Sequence, residues 1–192
     1  MKRKTALIIV DLQNEYVNGK LQIPHIQNII KKINIITNKF DIVCYTKNVF
    51  PNKNKKDRKN IKISDSGYYC VEGTYGSQIN KNLKINDNIF IRSYNKGFSA
   101  ALSKKDEINI KDFLNENNVT DVFICGVPGD YAIKYTSLDL SKNFKTYIII
   151  DLVKTIGKMN DFVNFLLDHK IQFFATSDLN FINNKIKLNK IK

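Results

Sequence analysis

The strongest constraint on this chain is its alternation between two hydrophobic periods. Thr5–Asp11 (TALIIVD) is an unbroken apolar run ending on a carboxylate, as expected of a strand buried on both faces of a parallel sheet. Between Ile23 and Lys39, isoleucines recur at 26, 29, 30, 33 and 36 with lysines outside them, which is a helix with one apolar stripe. The pattern then repeats. Asp41–Thr46, Asn88–Arg92, Asp121–Gly126, Lys145–Asp151 and Ile171–Ala175 read as strands, and Ile110–Glu116, Asp130–Asn143 and Met159–Lys170 as helices. Strand and helix in alternation predict an α/β fold: three αβα layers around a doubly wound, mostly parallel six-stranded sheet of Rossmann-like type.

At 192 residues, 43% apolar and 11% aromatic, the chain can bury one sizeable core. No boundary or internal repeat divides it, so 1–182 reads as a single domain and 183–192 as a basic, frayed tail. No apolar run reaches the roughly 18 residues that a membrane span needs. Ala6–Val10, behind the basic start, is too short for a signal sequence. Three cysteines make no disulfide framework, which points to a reducing, intracellular compartment, most simply the cytoplasm.

The formal net charge is +13, yet arginine occurs only at Arg3, Arg58 and Arg92. Phosphate and base recognition favours arginine's planar fork. The excess of Lys, Asn and Ile is what AT-rich codons produce, so nucleic acid is not the expected partner; a small molecule, a protein or a second copy is.

Two places stand out within this frame. Lys47 to Asp87 is a connection of about forty residues, far longer than is usual. Its first part, Asn52–Asn60, is polar and solvated; its second, Tyr68–Ile79, carries aromatics and glycines and should be ordered. Asp11 lies at the carboxyl end of the first strand, where such sheets place ligands, although a loop N-cap would look the same.

Three segments carry a resemblance. Ile9–Asn14 (IVDLQN) with Asn18-Gly19 and Pro24 resembles the opening of the isochorismatase-like hydrolases, above all the nicotinamidases. Cys70–Gly76 (CVEGTYG) is similar to a nicotinamidase loop, and Gly126–Asp139 (GVPGDYAIKYTSLD) is similar to the block that carries the nucleophile. Asp151 falls where the family keeps an Asp at the end of strand five. The likeness runs in order from about Thr5 to Thr176.

The resemblance implies a cysteine at a helix N-terminus that attacks an amide, an Asp that moves its proton, and a Lys that holds the charge. It also implies backbone N–H groups that stabilise the oxyanion and a metal that binds the ring nitrogen. Carried over by position, the Asp is Asp11, the Lys becomes Arg92 with Lys96 four residues on, and the nucleophile becomes Ala132, whose methyl cannot attack. Gln13, Val127, Pro128 and Tyr131 fall in the pocket and its oxyanion turn, with Val127–Pro128 expected to be cis. The metal ligands fall on Asn48, Phe50, Asn54 and Tyr69, and lysines at 47, 53, 55 and 56 crowd the same stretch, so no metal cofactor is expected. Cys44 and Cys125 read as small core residues and Cys70 as loop packing. Asp130 reads as the N-cap of a helix starting at Tyr131.

The expected function is therefore a nicotinamidase-like pseudoenzyme with a binding or scaffolding role. Two alternatives stand beside it. One is an isochorismatase-type hydrolase that uses Asp11 as general acid without a cysteine. The other is a nicotinamidase whose nucleophile was replaced by design with Ala132.

Overall fold

The computed structural model describes residues 3–52, 69–93, 97–182 and 185–187. The six expected strands are β1 (Thr5–Val10), β2 (Ile42–Val49), β3 (Ile89–Ser93), β6 (Asp121–Gly126), β7 (Lys145–Val153) and β8 (Gln172–Phe174). They pair in parallel in the order β3-β2-β1-β6-β7-β8. That order turns back on itself between β1 and β6, and a crevice opens beyond the carboxyl ends of strands at such a reversal.

The sheet has eight strands, two more than the sequence pattern suggests. β4 (Lys104–Lys105) and β5 (Ile108–Asn109) extend the β3 edge antiparallel. Asp106 and Glu107, which join them, both hold positive φ (48° and 67°), the mark of a two-residue hairpin turn. Two-residue strands carry no periodicity, so only the edge pairing reveals them. The tail also differs from expectation: Lys185–Lys187 (β10) pairs antiparallel with Asn180–Ile182 (β9). Residues 183–184 and 188–192 lie outside the described residues, as do Arg58, Lys96 and the segment 53–68.

Helices cover both faces. α2 (Ile26–Ile36) buries Ile26, Ile29, Ile30, Ile33 and Ile36 with Leu7 and Ile9 of β1. Each such side chain contributes about 1.5–3 kcal/mol. The opposite face packs α3 (Ile110–Glu116), α4 (Lys134–Ser141) and α5 (Met159–Asp168) on Ile8, Val10, Ile124 and Ile148. A short helix that the sequence does not announce, α1 (Asn14–Asn18), follows β1. The described part of the connection from β2 to β3 is held by two isolated bridges, Gln13 to Ile79 and Phe50 to Val71.

At the reversal β1 and β6 lie tightly together, with Val10 opposite Gly126. Gly126 has φ 113°, and a Cβ there would stand 2.2 Å from the Val10 carbonyl oxygen. Only glycine lets the two strands approach this closely.

Candidate functional site

The first residue beyond β1 is Asp11, 1% exposed and at φ 48°. A non-glycine residue in the left-handed region is sparsely populated backbone of the kind that clusters at functional sites, and Asp tolerates it better than most. Its carboxylate is held on both sides. The Thr46 hydroxyl donates to Oδ1 at 2.6 Å, and Arg92 Nη2 donates to Oδ2 at 2.7 Å. Thr46 Oγ1 in turn accepts from the Asp11 amide at 3.2 Å. Arg92 is 3% exposed, so this ion pair is sealed from solvent on both sides.

Arg92 also reaches sideways. Its Nη1 donates to the Phe98 carbonyl, fixing the loop that follows β3. The Phe98 ring stacks on Tyr135 (5.8 Å between centroids) and tilts against Tyr131 (5.5 Å). Two residues on, the Ala100 amide donates to Thr136 Oγ1 at 2.7 Å, and that hydroxyl donates to the Ala132 carbonyl at 2.5 Å. A continuous set of bonds thus runs from Asp11 through Arg92 and the 97–100 loop to the turn bearing Ala132. Ala132 is 2% exposed and shares a core with Val10 and Phe90.

That turn departs from the sequence reading in two ways. It begins as one π-helical turn, Gly129–Ile133, before α4 takes over at Lys134. Asp130 does not cap it. Its carboxylate accepts from the amides of Ile156 (3.1 Å) and Gly157 (2.6 Å), clamping the loop after β7. The Asp130 carboxylate thus bridges to the exposed loop after β7 instead of capping its own turn. Val127–Pro128 is cis, as expected. The Val127 and Gly129 amides are committed to the carbonyls of Val10 (3.0 Å) and Lys154 (2.8 Å).

The Gln13 side chain is occupied by backbone partners. It is fully buried, its Nε2 donates to the carbonyls of Asn48 (2.9 Å) and Ser77 (2.8 Å), and its Oε1 accepts from the Asn48 amide (2.9 Å). It ties the exit of β1 to the end of β2 and the 70s loop. Tyr131 lies at the rim, 45% exposed.

Two of the positions that the resemblance assigns to metal ligands, 50 and 69, meet, with a chemistry unsuited to a metal. Phe50 and Tyr69 meet edge to face at 4.7 Å, and Tyr16 completes the cluster against Tyr69 at 6.4 Å. The Phe50 ring offers no lone pair. Burial pushes the Tyr69 phenol up from its ordinary value, which keeps its proton on, and Asn48 brings a neutral amide. Among the described residues no three His, Cys, Asp or Glu side chains gather to hold an ion. Asn54 lies outside them. This donor set does not fit a divalent metal.

All three cysteines are buried and unpaired. Burial pushes the Cys44 thiol up to about 12. The Cys70 thiol is raised by burial and then by Asp11 and Glu15, and the Cys125 thiol by burial and Asp151. A thiol held protonated is a poor nucleophile. Cys70 is packed in the loop, its amide donating to Glu15 at 3.1 Å.

The Isochorismatase domain model matches residues 5–172. The chain belongs to the isochorismatase family. Within it the likeness is of nicotinamidase type. The chain is 28% identical to a nicotinamidase of Schizosaccharomyces pombe, covering 90% of this chain and 94% of that one. It is 26% identical to a nicotinamidase of Acinetobacter baylyi, over 94% and 92%. Among solved structures, the pyrazinamidase of Pyrococcus horikoshii in complex with zinc superposes with a TM-score of 0.72 at 26% identity, covering 90% of this chain and 99% of that one. No helix among the described residues is long and apolar enough to cross a membrane.

Three residues of this isochorismatase-family site escaped sequence reasoning. Thr46 was legible only as the last residue of a strand, Phe98 as an isolated aromatic, and Thr136 as a helix residue. The alternation Cys44, Thr46, Asn48, which puts all three on one face of β2, was the available signal for Thr46. Nothing local marks the other two.

Proposed function

We propose that this chain keeps the nicotinamidase scaffold without amide-hydrolysing chemistry and acts as a small-molecule binding protein. The observation that carries the reading is the state of the site's centre. Ala132 stands on the turn where the resemblance puts a thiol, and the carboxylate that would take the thiol's proton is closed off by Thr46 and Arg92. A general base must reach the proton it abstracts. Both oxygens of Asp11 instead accept bonds from the protein's own side chains.

The same network argues against Asp11 as general acid for vinyl-ether cleavage, because a carboxyl acting as acceptor at both oxygens presents no O–H edge to a substrate. The aromatic Phe50–Tyr69 pair at the former ligand positions supports a pocket rebuilt for packing and recognition. Three unpaired, buried cysteines agree with residence in a reducing compartment. The test is ammonia release from nicotinamide and pyruvate release from isochorismate on one preparation, with metal content measured. No turnover of either substrate is expected. Sustained ammonia release would overturn the reading, and pyruvate release would favour the general-acid alternative.

A further inference from the structure

Two buried polar atoms in the site have no hydrogen-bond partner among the described residues: Asn48 Oδ1, an acceptor, and Arg92 Nε, a donor. Asn48 is 6% exposed and Arg92 is 3% exposed. Leaving such atoms unsatisfied opposes folding, so each occurrence calls for a cause. These two are not scattered. Asn48 of β2 and Arg92 of β3 are direct register partners in the parallel sheet, so their side chains leave the same face side by side. That face is the one on which Cys44 and Phe90 pack with Ala132. Both backbone groups of Asn48 bond to Gln13, which fixes its main chain, and both terminal nitrogens of Arg92 bond to Asp11 and Phe98. The Arg92 guanidinium therefore cannot turn its Nε toward another partner without breaking those bonds, and the Asn48 side chain leaves the sheet beside it.

We propose that Asn48 and Arg92 form a two-point recognition edge for a neutral ligand bearing a cis-amide group, such as a lactam, a cyclic urea or a pyridone. The ligand's carbonyl accepts from Arg92 Nε–H, and its adjacent N–H donates to Asn48 Oδ1. The complementary edge of an amide is the simplest single group that satisfies both atoms. A carboxylate satisfies Nε alone, leaves Oδ1 unpaired and meets the Asp11 charge. The guanidinium charge is already balanced by Asp11, so burying a neutral ligand adds no unpaired ion. Ala132, Val10 and Phe90, in the core cluster on this face, supply apolar surroundings that suit a flat ring.

The proposal rests on the binding reading above, and its test separates the two. The full chain is titrated calorimetrically with 2-pyridone, pyridine and benzoate. 2-Pyridone should bind at least about tenfold more tightly than either of the others, because a site built around paired polar groups penalises a ligand that lacks one. Asn48→Leu should abolish that preference while leaving the unliganded protein at least as stable, since it removes an unsatisfied acceptor. A second measurement does not depend on any variant folding. Only three arginines occur in the chain, so their Nε–H resonances can be told apart by NMR. 2-Pyridone should shift the Arg92 resonance, and pyridine should not. Equal binding of all three probes, no binding at all, or an unmoved Arg92 resonance overturns this inference while the inactive-scaffold reading stands. Ammonia release from nicotinamide overturns that reading whatever the pyridone result.

Discussion

Replacing Arg92 with Met tests the centre of the site. The change keeps much of the side-chain volume but removes the cation beside a carboxylate that is 1% exposed, along with the tie to the Phe98 carbonyl. An isolated buried charge is far costlier than a buried pair. Breaking such a pair from one side costs about 3–5 kcal/mol, whereas exchanging both partners for neutral groups is often close to neutral. For a chain of this size, 3–5 kcal/mol corresponds to a fall in melting temperature of roughly 10 °C. The informative comparison is with the double variant Asp11→Asn, Arg92→Met. Asn tolerates the left-handed φ of 48° at position 11 and can still accept from Thr46. It should recover all but about 1–2 kcal/mol of the parent's stability, an interaction term large enough to measure by a double-mutant cycle. Urea unfolding followed by circular dichroism, with the slope m checked for constancy, reads all four proteins. If Arg92→Met lies within about 1 kcal/mol of the parent, or if the two substitutions simply add, the pair is not the buried unit described above.

Three further outcomes follow from the geometry. Ala132→Cys should give no ammonia from nicotinamide above the parent protein, with or without added zinc, because Asp11 remains held by Arg92 and Phe50 and Tyr69 remain poor ligands; an ammonia-coupled assay checks this. Gly126→Ala should cost at least about 3 kcal/mol, combining an unfavourable φ with a Cβ placed against the Val10 carbonyl, and urea unfolding reads the loss. Burial raises the Asp121 carboxyl, but hydrogen bonds from Arg3 and Thr120 outweigh it and leave the group below its ordinary value of 3.8. Its stabilisation is therefore fully present above about pH 4, the unfolded-state value, and is lost as pH falls through the lower folded-state value. Asp121→Asn should flatten that part of the acid unfolding curve, which a pH series of melting temperatures would reveal.

The layered α/β plan was legible from the chain because each strand and helix is specified by residues next to one another. A continuous apolar run such as Asp121–Gly126 and the isoleucine stripe of α2 declare their period locally. That position 132 carries a methyl group with no lone pair was legible too, in any fold. So was the meeting of positions 50 and 69, once the three motifs set the register.

What the sequence left open is whatever depends on residues far apart in the chain. Thr46 and Asp11 are separated by 35 positions, and across the 81 between Arg92 and Asp11 only the resemblance, not any local pattern, brought the two together. No periodicity encodes such pairings. Asp130 shows the same limit: read locally it is a cap, yet it binds amides 26 and 27 residues away. Gln13 lies two residues from Asp11 in sequence, and its amide is taken up by backbone groups of β2 and the 70s loop. The edge strands β4 and β5 exist only because β3 offers them an unpaired ladder. Side-chain identity determines what chemistry is available to this chain. Only the packed sheet, by bringing β2 and β3 into register, decides that Asn48 and Arg92 stand side by side with one acceptor and one donor still unanswered.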